Sequence, residues 1–420
     1  MRQINLPTTY SMKKILIIAQ FALITSLINA QSVTKSMLKL PDTGQTGDFT
    51  PTFGEDADYN INVPSFIKNN NGTVTDTVTG LMWQQTDGGE MTVESAVTYA
   101  DALVLGGFSD WRLPTAHESF SIINLQRNNP ALDITVFTTS VAEYWWTSDK
   151  QANDATKIWC TNAGGGVGNH PKSETVSAGG VKKFHVRAVR DVKAPTTVTS
   201  QFTDNATGTV KDNLTGLTWQ KVPNTNTLTW EQSLVYAEGL TLGGFSDWRL
   251  PNIKELESIN DEKLINPSVS TTYFSTIGVK NYWSSTSLPN QTTRAWYMST
   301  QFGVTTYELK TVQQSVICVR GSSGNTTTSN DLNKPTLRVK VFPNPIKNKV
   351  IQFEIADNVK DLNVQIVDNQ GRVLIHRNYK ALQYDTLISI NNIELNTGFY
   401  WLNLENGGAK TVEKIFVLRD

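Results

Sequence analysis

The chain has 420 residues, which corresponds to roughly three domains of ordinary size. Its 37 basic and 38 acidic side chains give a net charge of −1, which excludes a strongly basic nucleic-acid or membrane-surface binder. A hydrophobic fraction of 39%, with 11 tryptophans, indicates folded domains. Two cysteines exclude a disulfide-dense scaffold and a zinc site built from cysteines.

The N-terminal segment has the pattern of a secretory signal peptide. Lys13–Lys14 precede a mainly apolar run over Ile15–Ile28, and the small residue Ala30 follows it. The run is shorter than the ~20 apolar residues of a transmembrane helix, and no later segment has the pattern of one. We predict a signal peptide at residues 1–30, cleaved after Ala30, with Met12 as an alternative start.

An internal repeat dominates the rest of the chain. The segment Leu105–Pro114 recurs letter for letter as Leu242–Pro251, 137 positions later. Shorter matches on either side keep nearly the same spacing, so the repeated unit has the size of a domain. We predict a first copy with an N-terminal leader over residues 31–192 and a second copy over residues 193–320.

The chain changes character after the second copy. Residues 321–337 contain a run of Gly, Ser, Thr and Asn that is typical of a flexible linker. From residue 338 onwards, short segments alternate apolar and polar residues and are separated by turn signals such as Asn406–Gly408. This pattern predicts an all-β, immunoglobulin-like sandwich over residues 338–420.

Each copy is predicted to combine a β-hairpin, two helices and later antiparallel strands. In the first copy, apolar residues recur at helical spacing after the N-cap Thr92, and a second helix begins after Thr115, which forms a capping box with Glu118. Thr229 and Asn252 are the equivalent N-caps of the second copy. This order of elements predicts an α+β fold for both copies.

Both copies carry Gly-Thr-Val-x-Asp, Thr-Gly-Leu-x-Trp-Gln and Gly-Gly-Phe-Ser-Asp-Trp-Arg-Leu-Pro in the same order, within Gly72–Arg190 and Gly208–Arg320. In these motifs each copy resembles the Lcl C-terminal domain family. Leu40–Gln45 and Gly54–Tyr59 resemble the leader that often precedes that domain. The resemblance implies two tandem C-type-lectin-like domains, and the family's named member is a bacterial surface adhesin that binds glycosaminoglycans.

The last segment resembles the C-terminal sorting domain of type IX secretion, in Val341–Pro345, Thr397–Tyr400 and Lys414–Leu418. The resemblance implies that an outer-membrane translocon recognises residues 338–420 and that the domain is usually removed outside the cell. It places the sorting signal at Pro343, Asn344, Pro345, Gly371, Gly398 and Tyr400. With the signal peptide, it predicts a protein secreted by, or displayed on, a Gram-negative bacterium after passage through the periplasm.

Four tryptophans are the candidate ligand-binding residues. Trp146 and Trp159 in the first copy, and Trp283 and Trp296 in the second, surround the middle loop, where lectin-like folds often carry the ligand. Exposed aromatic rings stack on the apolar face of a sugar. The alternative is that these side chains point inward along their strands and pack in the core.

Asp110 and Arg112 form a repeated polar pair, with Asp247 and Arg249 in the second copy. A carboxylate and a guanidinium two residues apart could hold a sugar acid. Beside a Gly-Gly turn and before a proline, however, such a pair more simply stabilises local structure. We therefore predict structural turn pairs.

The sequence predicts no catalytic residue, no metal site and no cofactor. Residues 55–60 begin like a calcium loop, but Ile61 stands where that loop needs glycine. His117 corresponds to Lys254 in the second copy, and no nucleophile–base pair recurs in both copies. Cys160 and Cys318 occupy non-equivalent strands of different copies and are predicted to be unbridged.

These observations together predict a secreted, surface-displayed binding or adhesion protein that recognises a polysaccharide or glycoconjugate. Its expected partners are the type IX translocon and the glycan, without nucleic acid and without a transmembrane helix. A structural component of the surface or matrix, with no dedicated ligand, is the alternative. A secreted enzyme is the least favoured interpretation.

Overall fold

The computed structural model describes residues 32–418 with several gaps. The residues outside the description are 1–31, 60, 139–142, 174–182, 322–338, 343–345, 347–348, 356–358, 369–371, 384–385, 407–408 and 419–420. The predicted signal peptide with its cleavage residue Ala30 lies outside the described residues, as does the predicted linker apart from Gly321.

The two copies are built from a similar succession of strands. The leader and first copy contain β1 (Val33–Lys35), β2 (Phe66–Lys68), β3 (Thr73–Asp76), β4 (Leu81–Gln84), β5 (Glu90–Met91), β6 (Tyr144–Gln151), β7 (Asp154–Asn162), β8 (Val167–Pro171), β9 (Phe184–His185) and β10 (Val189–Asp191). The second copy contains β11 (Thr196–Val198), β12 (Phe202–Asp204), β13 (Thr209–Asp212), β14 (Thr218–Gln220), β15 (Asn281–Ser287), β16 (Arg294–Ser299), β17 (Val304–Leu309) and β18 (Val319–Arg320). The sheets β2-β3-β4-β10 and β12-β13-β14-β18 correspond strand for strand, so the sequence repeat is also a structural repeat.

Each copy carries two short helices at the predicted places. They are α1 (Val93–Ala102), α2 (Ala116–Ser121), α3 (Trp230–Glu238) and α4 (Ile253–Glu257). The side chain of Thr115 accepts from the Glu118 amide while the Glu118 carboxylate accepts from the Thr115 amide, and the second copy repeats this box with Asn252. These N-caps are confirmed. Among the described residues no helix is long and apolar enough to cross a membrane.

The predicted fold class is wrong. About 40% of the chain is strand, in several sheets, and only about 10% is helix. This mainly-β composition does not support an α+β fold with C-type-lectin-like domains. The helical periodicity was real but covered only 5–10 residues per helix. Strands of two to four residues, such as β5 and β18, are too short to show an alternating pattern of their own.

One hydrophobic cluster spans the junction between the two copies, beside further clusters that lie within one copy each. Helix α2 packs against α4, and β8 lies beside β17. The first copy contributes Phe120, Leu125 and Trp159 to the same buried cluster as Leu256 and Trp296 of the second copy. The two copies therefore pack against each other through a shared core and are not separated by a flexible linker.

The leader is the third component of this junction. Gln45 Nε2 donates to the carbonyl oxygen of Leu125 at 3.3 Å and to that of Ser287 at 2.8 Å, so one side chain joins both copies. Strand β1 pairs with β11 of the second copy. The buried carboxylate of Asp56 accepts from Thr286 at 2.5 Å. Because the leader occurs once, it contacts the two copies unequally.

The described part of residues 339–418 forms two antiparallel sheets. Their strands are β19 (Val339–Phe342), β20 (Ile351–Ile355), β21 (Val359–Val367), β22 (Val373–Leu382), β23 (Thr386–Ile390), β24 (Gly398–Asn406) and β25 (Ala409–Val417). One sheet has the order β19-β20-β23 and the other β22-β21-β24-β25. Inward residues of both sheets, among them Phe353, Ile366 and Leu402, form a separate core.

Candidate functional site

The four candidate tryptophans lie inside the protein. Trp146 and Trp283 are 0% exposed, Trp159 is 1% exposed and Trp296 is 2% exposed. The ring nitrogens of Trp146 and Trp283 donate to backbone carbonyls at 2.9 and 3.2 Å. A buried ring presents no free face to a sugar, so the prediction that these side chains stack on a ligand fails and the core-packing alternative holds.

The repeated aspartates pair with arginines far away in the sequence. Asp110 holds the guanidinium of Arg190 through two contacts of 2.6 and 3.0 Å, and the same guanidinium lies 3.8 Å above the Phe108 ring. Asp247 holds Arg320 at the same two distances, with Phe245 as the ring. In both copies this arrangement ties the glycine turn to the last strand.

The repeated arginines bind the helix caps and not the neighbouring aspartates. Arg112 makes two contacts of 2.7 and 2.9 Å with Glu118, the capping-box carboxylate of α2. Arg249 binds Glu255 of α4 in the same way at 2.6 and 2.5 Å. These contacts give the turn residues a structural explanation in both copies.

An open groove of about 450 Å³ crosses the junction between the copies. Its lining includes Asn129, Tyr144, Asn162, Trp296, Thr306 and Tyr307. The Val167 amide donates to Thr305 Oγ1 at 2.8 Å, which fixes β8 of the first copy to β17 of the second. Tyr307 is 37% exposed and packs edge-on against the buried Trp296 at 5.5 Å. The exposed Glu143 also lines the groove, which therefore combines an aromatic ring with amide, hydroxyl and carboxylate groups.

A second cavity, of about 410 Å³, is lined by the leader and by both copies. At its side, His117 of α2 lies with Nε2 2.9 Å from the carbonyl oxygen of Glu257 and Nδ1 3.4 Å from Oε1 of Glu262. One potential ligand atom from each of these three side chains lies within 4.8 Å of the others, so they could hold a metal ion. Burial raises the pKa of both glutamates.

Sequence reasoning missed this three-residue cluster because its members come from different copies. The only signal was a mismatch between the copies, in which His117 stands opposite Lys254 in the repeat and Glu262 opposite Leu125. Such a mismatch marks a position where the copies have different tasks, but it does not show which residues meet.

The predicted sorting residues are only partly described. Pro343, Asn344, Pro345 and Gly371 lie outside the described residues. Gly398 begins β24, and Tyr400 in the same strand donates its hydroxyl to the Asn396 carbonyl at 3.1 Å.

Comparison with known families agrees with the repeat. The model of the Lcl C-terminal domain matches residues 72–190 and 208–320, more than half of the chain. The model of the secretion system C-terminal sorting domain matches residues 340–418, which identifies a secreted or cell-surface protein exported by type IX secretion machinery. No curated protein matches the chain. The chain belongs to the Lcl C-terminal domain family, with two copies of that domain followed by a sorting domain.

Proposed function

We propose that the protein is a surface-displayed or secreted binding protein that recognises a polysaccharide or glycoconjugate outside a Gram-negative cell. Export is supported by the sorting domain at residues 340–418. Recognition is assigned to the groove across the junction of the copies, because Trp146, Trp159, Trp283 and Trp296 are buried.

The observation that carries the proposal is the chemistry of the groove. Tyr307 offers a partly exposed ring, Asn129 offers an amide that both donates and accepts hydrogen bonds, and Glu143 offers a carboxylate acceptor. Oδ1 of Asn162 already accepts from the Gly164 and Gly166 amides, which leaves its NH₂ group as a donor. Sugars need this combination of an apolar surface and polar groups that bond to hydroxyls. The net charge of −1 favours neutral or weakly charged glycans over highly sulfated ones.

A glycan array probed with the exported protein tests the proposal. The Tyr307→Ala variant is expected to weaken binding by about 1–3 kcal/mol, or roughly 5–150-fold, if the ring is a binding hot spot. Leu309→Ala is the matched control, because Leu309 is 41% exposed on the same strand but does not line the groove. Retention of no glycan by the parent protein would instead favour a structural surface component.

A further inference from the structure

The hydrogen bond of His117 determines which ring nitrogen carries a proton. The partner of Nε2 is the carbonyl oxygen of Glu257, which can only accept, so Nε2 must donate. In the neutral ring, Nδ1 then presents a lone pair to Oε1 of Glu262 at 3.4 Å. Two lone pairs that face each other need a cation or a proton between them. Donation of the second ring N–H to a backbone carbonyl is also the usual arrangement of a metal-binding histidine.

Two carboxylate oxygens near this ring have no hydrogen-bond donor, although Oε1 of Glu257 accepts from Asn260 Nδ2 at 3.3 Å. Glu257 is 1% exposed, and its Oε2 is buried without a hydrogen bond, as is Oε1 of Glu262. A third carboxylate, Asp149, interacts electrostatically with both His117 and Glu262, and it accepts a hydrogen bond from the Ala116 amide at 2.7 Å. Glu257 is buried, while Glu262 and Asp149 are partly buried, and such a group of carboxylates is costly unless a proton or a cation neutralises it.

The equivalent place in the other half of the repeat has its own cation. There Lys254 replaces His117, and its ammonium group donates to the carbonyls of Asp42 and Ser121, each at 2.8 Å. Asp42 and Asp56 of the leader and Asp76 of the first copy attract the same ammonium group electrostatically. At this place in the junction, the ammonium group of Lys254 thus supplies the positive charge.

The first half has carboxylates but no buried lysine. Asp149 stands opposite Thr286 in the repeat, and Glu262 stands opposite Leu125. Two lysines, Lys35 and Lys263, do line the same cavity, but Lys263 is exposed and Lys35 is only partly buried. The cavity joins the cluster to leader residues and leaves room for water and for an ion.

We propose that His117, Glu257 and Glu262 bind a divalent transition-metal ion, with Zn²⁺ as the best match, at the junction of the two copies. An imidazole with carboxylates suits Zn²⁺ better than Ca²⁺ or Mg²⁺, which prefer oxygen ligands alone. The ligand atoms lie within 4.8 Å of one another, so they must move together by about 1 Å to reach Zn–ligand bonds of about 2.0–2.2 Å. Two ionised glutamates balance the charge of Zn²⁺, and Asp149 is a further carboxylate that lines the same cavity. The site is separate from the glycan groove.

The test uses the full chain, stripped of metal with a chelator and titrated with Zn²⁺ by calorimetry. We expect uptake of one Zn²⁺ per chain and a rise in the thermal midpoint. His117→Ala and Glu262→Gln should each weaken binding by at least about tenfold. Asp101→Asn, which removes an exposed carboxylate of α1 that does not line the cavity, should bind Zn²⁺ like the parent.

Circular dichroism of each variant separates loss of the site from loss of the fold, and the conservative Glu262→Gln change keeps the side-chain shape. Absence of Zn²⁺ uptake by the folded parent would overturn the proposal, above all if His117 is found protonated at pH 7. Parent-like affinity of Glu262→Gln would overturn it as well. Glycan binding is measured separately, so failure of the metal site leaves the proposed function standing.

Discussion

Replacement of Lys254 by methionine is expected to destabilise the junction of the copies. Lys254 is 1% exposed, and its ammonium group satisfies the carbonyls of Asp42 and Ser121. Burial lowers the pKa of Lys254 to about 8 against the pull of Asp42 and other carboxylates, which means that carrying the charge costs about 3 kcal/mol. A methionine side chain is uncharged, so the variant would avoid this desolvation cost.

The stabilising interactions that the Lys254→Met variant would lose are larger than the cost of the buried charge that it would avoid. Two hydrogen bonds from a charged donor contribute about 1.5–3 kcal/mol each, and the carbonyls would then be buried without partners. Asp42 and Asp56 would also lose their counter-charge, and removal of one side of a buried charge group is strongly destabilising. We therefore expect Lys254→Met to lower the free energy of unfolding by about 2–3 kcal/mol.

Denaturant unfolding followed by tryptophan fluorescence measures this change in the two copies, because ten of the 11 tryptophans precede residue 321. Lys263→Met, at an exposed lysine, is the control and should change stability by less than about 0.5 kcal/mol. The double variant Lys254→Met/Asp42→Asn should recover about 1 kcal/mol if the ammonium group and the Asp42 carboxylate are coupled. A Lys254→Met protein as stable as the parent would show that desolvation of the ammonium outweighs its contacts and would refute this reasoning.

Three further predictions concern other parts of the two copies. Gly106→Ala should cost more stability than Gly107→Ala in thermal melts: both residues have positive φ, which costs alanine about 1–2 kcal/mol, but only at Gly106 (φ +64°) would a Cβ meet another side chain, at 2.7 Å. Burial raises the pKa of Asp212 from 3.8 to about 6, so the folded state binds more protons than the unfolded state between these pH values. The free energy of unfolding therefore falls as the pH rises through this range. Asp212→Asn should remove up to about 3 kcal/mol of that fall, as measured by unfolding at pH 4 and pH 7. Cys160 and Cys318 are free and buried, so a thiol reagent should find no reactive thiol in the native protein and two after unfolding; a disulfide in the exported protein would contradict this.

Local features were predictable from the sequence because their causes are local. The capping box of Thr115 and Glu118 needs only residues three apart, and the structure contains it in both copies with Asn252 and Glu255. The unbridged state of Cys160 followed from its strand having no cysteine at the equivalent place in the repeat, and it is confirmed. Identity over ten residues likewise predicted identical turns, and Leu105 and Leu242 begin the same bridge.

The candidate site was not predictable because burial and proximity are not local. The sequence around Trp146 and Trp283 is compatible with either an exposed or a buried ring. The packing of helix against strand determines that both rings are buried. The cluster around His117 joins residues 140 positions apart, since its partner Glu257 lies in the second copy. Periodicity within one copy carries no information about the neighbour against which that copy packs.

The single leader explains why the two halves of the junction cannot be alike. A repeat of two similar units offers two similar places, at His117 on α2 and at Lys254 on α4, and each contacts the other copy's helix end. The leader carboxylates of Asp42 and Asp56, together with Asp76 of the first copy, attract the Lys254 ammonium group. The leader residues that line the cavity beside His117, Ser32–Met37 and Leu40, include no carboxylate, so the cluster there draws its carboxylates from α4 and the following loop. The duplication thus produced two places of different chemistry, one closed around an internal ammonium group and one open to a cation from solution.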